Sequence, residues 1–479
     1  MTNHTDDSSA LLKPRKFPLG TSLVILNQSK VERAPERSEM LVMTISLILT
    51  SAPSKTSQNN NIVIIMVDRN VKPDECLLKH IFTATQPKSI SVILQGWDKC
   101  VFKAEFPKNP QNDYTTCVVR LDSEDEKPRN FAMIATMQRI AATIIPDLVP
   151  KTYQVGKAAN AQGRMFHFSV VKLVEGDLLE DAWQLMSAGE QNSVVADLVE
   201  ALQKLHSVRL SDNMAQEVLR KMLREDGEEL RPFLETPGVF GGPHTGVLNS
   251  GHGLLYSIME KRKLKKSSFC TMDPVNDSQD VRIQSTFEDM GSMVINNSNI
   301  SKWAGESVLC HNDLTPRNLI LESRPSADGK SNYKLAGIID WELAGFYPPS
   351  YELGLQDTYF CADRHVSFYL LLKEHMKNIV PRSSSQIALV QANALIYESQ
   401  QRKLSNGTNV SSHIQKRVME NSKLTRDNDP YVGWTRSSQD GPPPDYSSAA
   451  FQKLEDDLVG EMLARRKLKA ELNSTAQSQ

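Results

Sequence analysis

The amino-acid sequence predicts an α+β fold of two lobes, a small β-rich one followed by a larger, mostly helical one. Three observations predict it. Short β-branched and aromatic runs bounded by turn residues cluster between Ser89 and Val174. Beyond Glu175, apolar residues recur at helical spacing, as at 193–208. Near residue 310, brief apolar runs return around one polar turn, too short for helices and suited to buried strands. At 479 residues and 40% hydrophobic content, the chain can bury a sizeable core in each lobe and still carry tails.

Residues 1–38 mix Asp, Ser, Lys, Pro and Glu without periodicity, which predicts a disordered tail. An N-terminal extension, 39–88, holds β-like runs at 41–49 and 62–67, read as an added hairpin. A short helix follows at 74–85 on the spacing of Leu77, Leu78, Ile81 and Phe82. Strands at 89–94 and 100–106 flank the turn Gln95-Gly96-Trp97-Asp98-Lys99, and 115–121 is the third strand. Pro128 suits the first turn of a helix reaching 145, with Phe131, Ile134, Met137 and Ile140 on its apolar face.

A strand at 166–174 precedes Glu175-Gly176-Asp177, and the helix at 193–208 ends in Leu205-His206-Ser207. His206 reads there as a packed helix-end residue without chemistry. Residues 211–300 are an insertion with two charged runs. The acidic one, 225–229, reads as a solvated helix end, with attraction of a cationic acceptor as its alternative. The basic one, 261–266, reads as a solvated helix face, with anion binding as its alternative. Helices are expected after Pro349 as far as Ser399, a polar linker over 400–449, and a charged amphipathic helix at 451–472.

The chemistry concentrates in His311-Asn312-Asp313-Leu314-Thr315-Pro316-Arg317-Asn318, framed by strand-like runs at 307–310 and 319–321. A third run, 333–339, delivers Asp340 at its end, within Ile338-Ile339-Asp340-Trp341-Glu342. Phosphoryl transfer to a hydroxyl needs a carboxylate to take the proton, and an amide oxygen and a second carboxylate to hold metal on the phosphates. Asp313, Asn318 and Asp340 supply those groups in that order, on loops held by short strands. The competing reading is a surface turn whose Asp, Thr and Asn bond only their own backbone.

His311 to Asn318 and Gly337-Ile338-Ile339-Asp340-Trp341-Glu342-Leu343-Ala344-Gly345 resemble the catalytic and metal-binding loops of the aminoglycoside phosphotransferase family, which is similar to choline kinases and protein kinases. Trp341-Glu342 replaces the Phe-Gly of protein kinases, which favours the small-molecule branch. The resemblance implies a protein-kinase-like fold, with an N-lobe at 89–174 and a C-lobe at 175–399 that includes an acceptor-site insertion, 211–300. A polar linker and C-terminal helix occupy 400–479.

The resemblance further implies ATP and Mg2+, with Asp313 as catalytic base, Asn318 and Asp340 as metal ligands, and His311 as a structural residue tying the two loops. Nucleotide contacts are implied at Gly96 in a phosphate-covering turn and at Arg120, in place of the lysine that meets the α and β phosphates. Lys172 and Val174 of the inter-lobe segment would meet adenine through their backbone. The sequence departs from the pattern three times: Arg120 replaces the lysine, Gly96 is the one glycine of its turn, and no acidic residue lies between Lys127 and Pro146. Gln138 or Asn130 is left as a neutral partner for Arg120. The expected activity is phosphorylation of a small-molecule hydroxyl. The departures motivate an alternative, a catalytically weak or inactive kinase-like module that acts through a partner.

Composition narrows the rest. A net charge of −2 from 55 basic and 57 acidic residues gives no global field toward nucleic acid or an anionic membrane. Six scattered cysteines form no metal-ligand pair, and the apolar run at 41–50 is too short to span a bilayer. No nucleic-acid or membrane partner is expected, and the expected location is cytoplasmic.

Overall fold

Cys100, Phe102 and Ala104 point inward while their neighbours stay partly open, the period-two pattern of a half-buried strand. That strand is part of a five-stranded antiparallel sheet: β1 Ser89–Gln95, β2 Lys99–Glu105, β3 Thr116–Ser123, β4 Thr152–Ala159 and β5 Met165–Lys172, in the order β1-β2-β3-β5-β4. Helix α1, Glu75–Ile81, is capped by Asp74 and packs Leu77 and Ile81 into a small core with Phe102, Val119 and Phe168. Strand β4 went unread in the sequence because Thr152-Tyr153-Gln154-Val155-Gly156 lacks strict alternation. Gly156 lets the Phe168 ring lie against the backbone.

The computed structural model describes residues 71–477 apart from 109–114, 125–130, 226, 266, 276–277, 326–330, 360–363, 442–443 and 445. The tail at 1–38, the runs at 41–49 and 62–67, and Lys127, Pro128, Asn130 and Cys361 lie outside the described residues. Helix α2, Phe131–Ile144, leans the other way from α1: Met133, Met137, Ile140 and Ala141 join the core of the larger lobe.

That lobe begins with β6 Asp177–Leu178, α3 Leu179–Ala182 and α4 Ala188–Leu205, the last opened by a capping box of Ser187 and Glu190. The insertion supplies α5 Asn213–Arg224, α6 Arg231–Glu235, β7 Phe240–Gly242, β8 Gly246–Leu248, α7 Gly251–Arg262, β9 Cys270–Pro274, β10 Val281–Ser285, β11 Ser292–Ile295 and α8 Asn297–Ile300. After α9 Trp303–Glu306 come β12 Val308–Cys310, β13 Leu319–Pro325, β14 Ser331–Ile338 and β15 Gly345–Tyr347. They form two small sheets, β14-β13-β6 and β12-β15-β7-β8. The helices α10 Pro349–Tyr359, α11 Val366–Met376 and α12 Ser384–Ser405 complete the body. The expected α+β class, β-rich in the small lobe and mostly helical in the large one, is the class observed.

The stretch expected as a linker is structured. It holds the end of α12, then α13 Val410–Asn421 and a hairpin of β16 Leu424–Arg426 and β17 Trp434–Arg436; α14, Ser448–Gln477, follows. Its polar composition misled because few side chains anchor it: Ile414, Val418, Tyr431 and Tyr446 all join the main core, as does Leu458 of α14. No helix among the described residues is long and apolar enough to cross a membrane.

Candidate active site

Two hairpin-like excursions meet at one place. The first is the turn between β12 and β13, which carries His311 to Asn318; the second follows β14 and carries Asp340. The backbone joins them, since Ile339 N–H donates to Asn318 O at 2.9 Å. The His311 ring lies 3.0 Å through Nε2 from Ile339 O, while its Nδ1 accepts from Asp313 N–H at 3.2 Å. Those two bonds require the neutral tautomer protonated on Nε2. Trp341 packs edge-on against the same ring, with 4.7 Å between centroids.

Both loops bear left-handed backbone at the site. Asn312 and Asp340 each have φ of 62°, a conformation that Asn and Asp tolerate better than most residues. Such strain persists only where the surroundings over-determine it. At Asn312 the determinant is Glu352 on α10, fully buried, whose Oε1 accepts from both His311 N–H and Asn312 N–H at 2.7 Å. His206 Nε2 lies 2.8 Å from its other oxygen. Burial pushes the Glu352 carboxyl up, but the bonds from His206 and the loop amides outweigh it and leave the group below its ordinary value. Sequence reasoning missed Glu352 and read His206 as a packing residue. The one available signal was a glutamate amid the apolar residues of Tyr351-Glu352-Leu353.

Asp313 is almost fully buried, and its Oδ2 accepts from Asn318 Nδ2 at 2.8 Å and from Arg317 at 3.4 Å. Among the described residues, nothing bonds Asp313 Oδ1, Asn318 Oδ1 or Asp340 Oδ2, so three oxygens are left over on the two loops. Burial raises the Asp340 carboxyl, Glu342 and Asp313 add to the rise, and Arg120 opposes it. Hard oxygen donors of this kind fit a magnesium ion, and Asn318 and Asp340 are the residues that could hold one.

The predicted nucleotide contacts are placed unevenly. Gly96 turns β1 into β2, but its N–H already donates to Lys99 O at 2.8 Å, and a Cβ there would meet only ordinary contacts. Arg120, on β3, reaches the site but meets carboxylates: Asp122 at 3.1 Å, Glu342 at 2.7 Å and Asp340 at 3.5 Å. Burial opposes its charge, yet Asp122 and Glu342 hold it above its ordinary value. The carboxylate missing from α2 is thus supplied by β3 and the loop that follows β14. Gln138 is not among the partners that Arg120 meets in the described residues; its Nε2 donates to Pro150 O.

Lys172 and Val174 line a cleft of ≈ 670 Å³ together with Leu173, Glu322 and Ala336. Lys172 N–H is committed to Lys151 O. Val174 packs on Gly337, where any Cβ would come within 2.7 Å of it. None of Asp313, Asn318 and Asp340 borders that cleft, although Ala336 on β14 is four residues before Asp340.

Residues 296–375 match the family model described as "Phosphotransferase enzyme family". The recognition made from the two loops is borne out over that segment, which contains all three of Asp313, Asn318 and Asp340. No curated protein matches the chain. Solved structures similar to it include a thermostable mutant of aminoglycoside phosphotransferase APH(4)-Ia in ternary complex with AMP-PNP and hygromycin B. It is 13% identical, with a TM-score of 0.41, over 72% of this chain and 98% of that one. The GDP complex of wild-type aminoglycoside 2'-phosphotransferase-IIIa is 12% identical, with a TM-score of 0.34, over 80% and 96%. At such identities and TM-scores, no donor or acceptor carries over from them.

Proposed function

We propose that this protein is a small-molecule phosphotransferase that uses ATP and Mg2+, with Asp313 as catalytic base. The observation that carries the reading is the buried Asp313 carboxylate, fixed through Oδ2 by Asn318 and Arg317 while Oδ1 stays open. A fixed carboxylate with one free oxygen can orient an acceptor hydroxyl and take its proton. The acceptor oxygen bonds to the γ-phosphorus as the bond to the β,γ-bridging oxygen breaks. ADP leaves with that electron pair, and the proton passes to Asp313 Oδ1. Magnesium, when bound by Asn318 and Asp340, would neutralise charge on the phosphates.

His311 would keep both loops in register, and Leu173 and Val174 would meet the adenine from the inter-lobe cleft. Four extended residues from Ala336 to Asp340 span about 13 Å, comparable with the reach of a nucleoside triphosphate. Asp313→Asn is expected to lower kcat by about 10²- to 10⁴-fold in an ATP-consumption assay against hydroxyl-bearing metabolites, without shifting the melting temperature. Undiminished turnover would remove Asp313 from the base role.

A second reading, a nucleotide-binding module of weak or absent catalysis, draws on Arg120, whose guanidinium is engaged by Asp122 and Glu342. It predicts a melting shift with ATP and magnesium but no ATP consumption with any acceptor.

A further inference from the structure

Beyond Asn312, the catalytic loop borders a recess of ≈ 300 Å³ built by α7, α10 and α12. Tyr351, Tyr359 and Tyr397 wall it, and the Tyr359 hydroxyl donates to Asn312 O, joining the wall to the loop. Its charge has one sign. Lys261 and Arg262 line it with His244, and no Asp or Glu does so among the described residues. The basic run expected as a solvated helix face therefore has its first two residues in a pocket. Ile258 is buried on α7, and positions three and four residues later fall on the same helix face, which carries Lys261 and Arg262 to the recess.

Among the described residues neither cation is paired with a carboxylate. Arg262 stacks over the Tyr397 ring, 4.7 Å from its centroid, and its guanidinium donates to no acceptor among the described residues. Five N–H donors held over a ring, with no described carboxylate lining the recess, suit a planar anionic group. The Lys261 side chain remains open to water in the recess, yet surrounding protein, and then Arg262, lower its ammonium to about 7. Burial likewise lowers Arg262, against the pull of the tyrosines, and takes His244 down to about 4. Crowded cations of this kind are relieved by an anion and made worse by an amine. The loop adds one acceptor, Asn312 Oδ1, buried without a hydrogen-bond partner.

We infer that the acceptor is an anionic small molecule, a hydroxycarboxylate or a phosphate monoester, whose charged end sits on Lys261 and Arg262 and whose hydroxyl passes Asn312 to reach Asp313. The fate of the hydroxyl rests on the phosphotransferase reading above; the charge of the ligand rests on the recess alone.

The test uses the full chain, Lys261→Gln and Arg262→Gln, and a panel of hydroxycarboxylates and sugar phosphates. Each panel member is paired with its amide or dephosphorylated counterpart and with an amine counterpart. Binding is read by thermal shift without ATP, and turnover by ATP consumption. Anionic members should bind in preference to their counterparts, and whether carboxylates or phosphates do so identifies the anion. Each variant should weaken their kcat/KM by about 10- to 100-fold, the worth of one charge-assisted hydrogen bond, mainly through KM. Lys261→Gln changes an open side chain and decides the matter should Arg262→Gln fail to fold.

Equal or better use of the amines, equal anion binding by both variants, or no anionic binder in the panel would each overturn the inference. Anion binding that the variants lose, with no ATP consumed by the wild type, would uphold the recess and sink the phosphotransferase reading. ATP consumed with amine alcohols alone would do the reverse.

Discussion

Arg120 meets three carboxylates, and that count decides what the residue can offer a nucleotide. Among the described residues its guanidinium is engaged by Asp122, Glu342 and Asp340 together, which leaves it little to offer a bare phosphate. Truncation to Ala should weaken the joint between β3 and the loop that follows β14. The loop carboxylates keep 34% and 32% of their side-chain surface exposed, so the loss should be about 1–3 kcal/mol, short of the full cost of unpairing a buried ion. Chemical denaturation of Arg120→Ala measures it, and an unchanged midpoint would show the cluster to be slack. The placing of Arg120 on the third strand was legible in the sequence from its apolar flanks. Its partners were not, because Asp340 and Glu342 lie more than two hundred residues further on and no local pattern links them.

At the scale of elements, the turn after β12 is held from behind by α10. Glu352 binds two loop amides and His206 at once, so α4, α10 and the turn after β12 share one buried carboxylate. Its folded pKa lies below the ordinary 4.5, so its stabilisation is complete above that value and is lost as pH falls through the depressed folded value. Glu352→Gln should cost about 1.5–3 kcal/mol at pH about 7. The gap between wild type and variant should narrow on acidification toward pH about 3. Urea unfolding across that range tests the sign, and a gap that widens in acid would contradict it. The strands and turn around Asp313 were readable because short apolar runs frame a polar octet. The left-handed turns at Asn312 and Asp340 were not, since they are imposed by α10 and by the other loop.

Across the whole molecule, the same lesson recurs where polar composition hides a few deep anchors. The stretch 400–449 reads as a linker by residue type, yet Arg426 reaches Asp357 at 3.1 Å beside the buried Lys373–Asp357 pair, and Tyr431 is fully buried with Arg382 over its ring. Gly433 has φ of 72° and sits where any side chain would run into Lys373 and Asp357. A linker predicts that cutting the chain after Asn406 is harmless. The packing predicts otherwise: Ile414, Val418, Tyr431, Tyr446 and Leu458 each contribute about 1.5–3 kcal/mol of burial, together comparable with the roughly 5–15 kcal/mol of net stability of a typical domain. The truncated protein should therefore be insoluble, or should melt without a cooperative transition. Gly433→Ala, a milder probe of the same contact, should lose about 1–3 kcal/mol while remaining folded. Circular dichroism melts of the two variants beside the full chain decide it. A truncated protein that melts like the full chain would return these residues to the status of a tether.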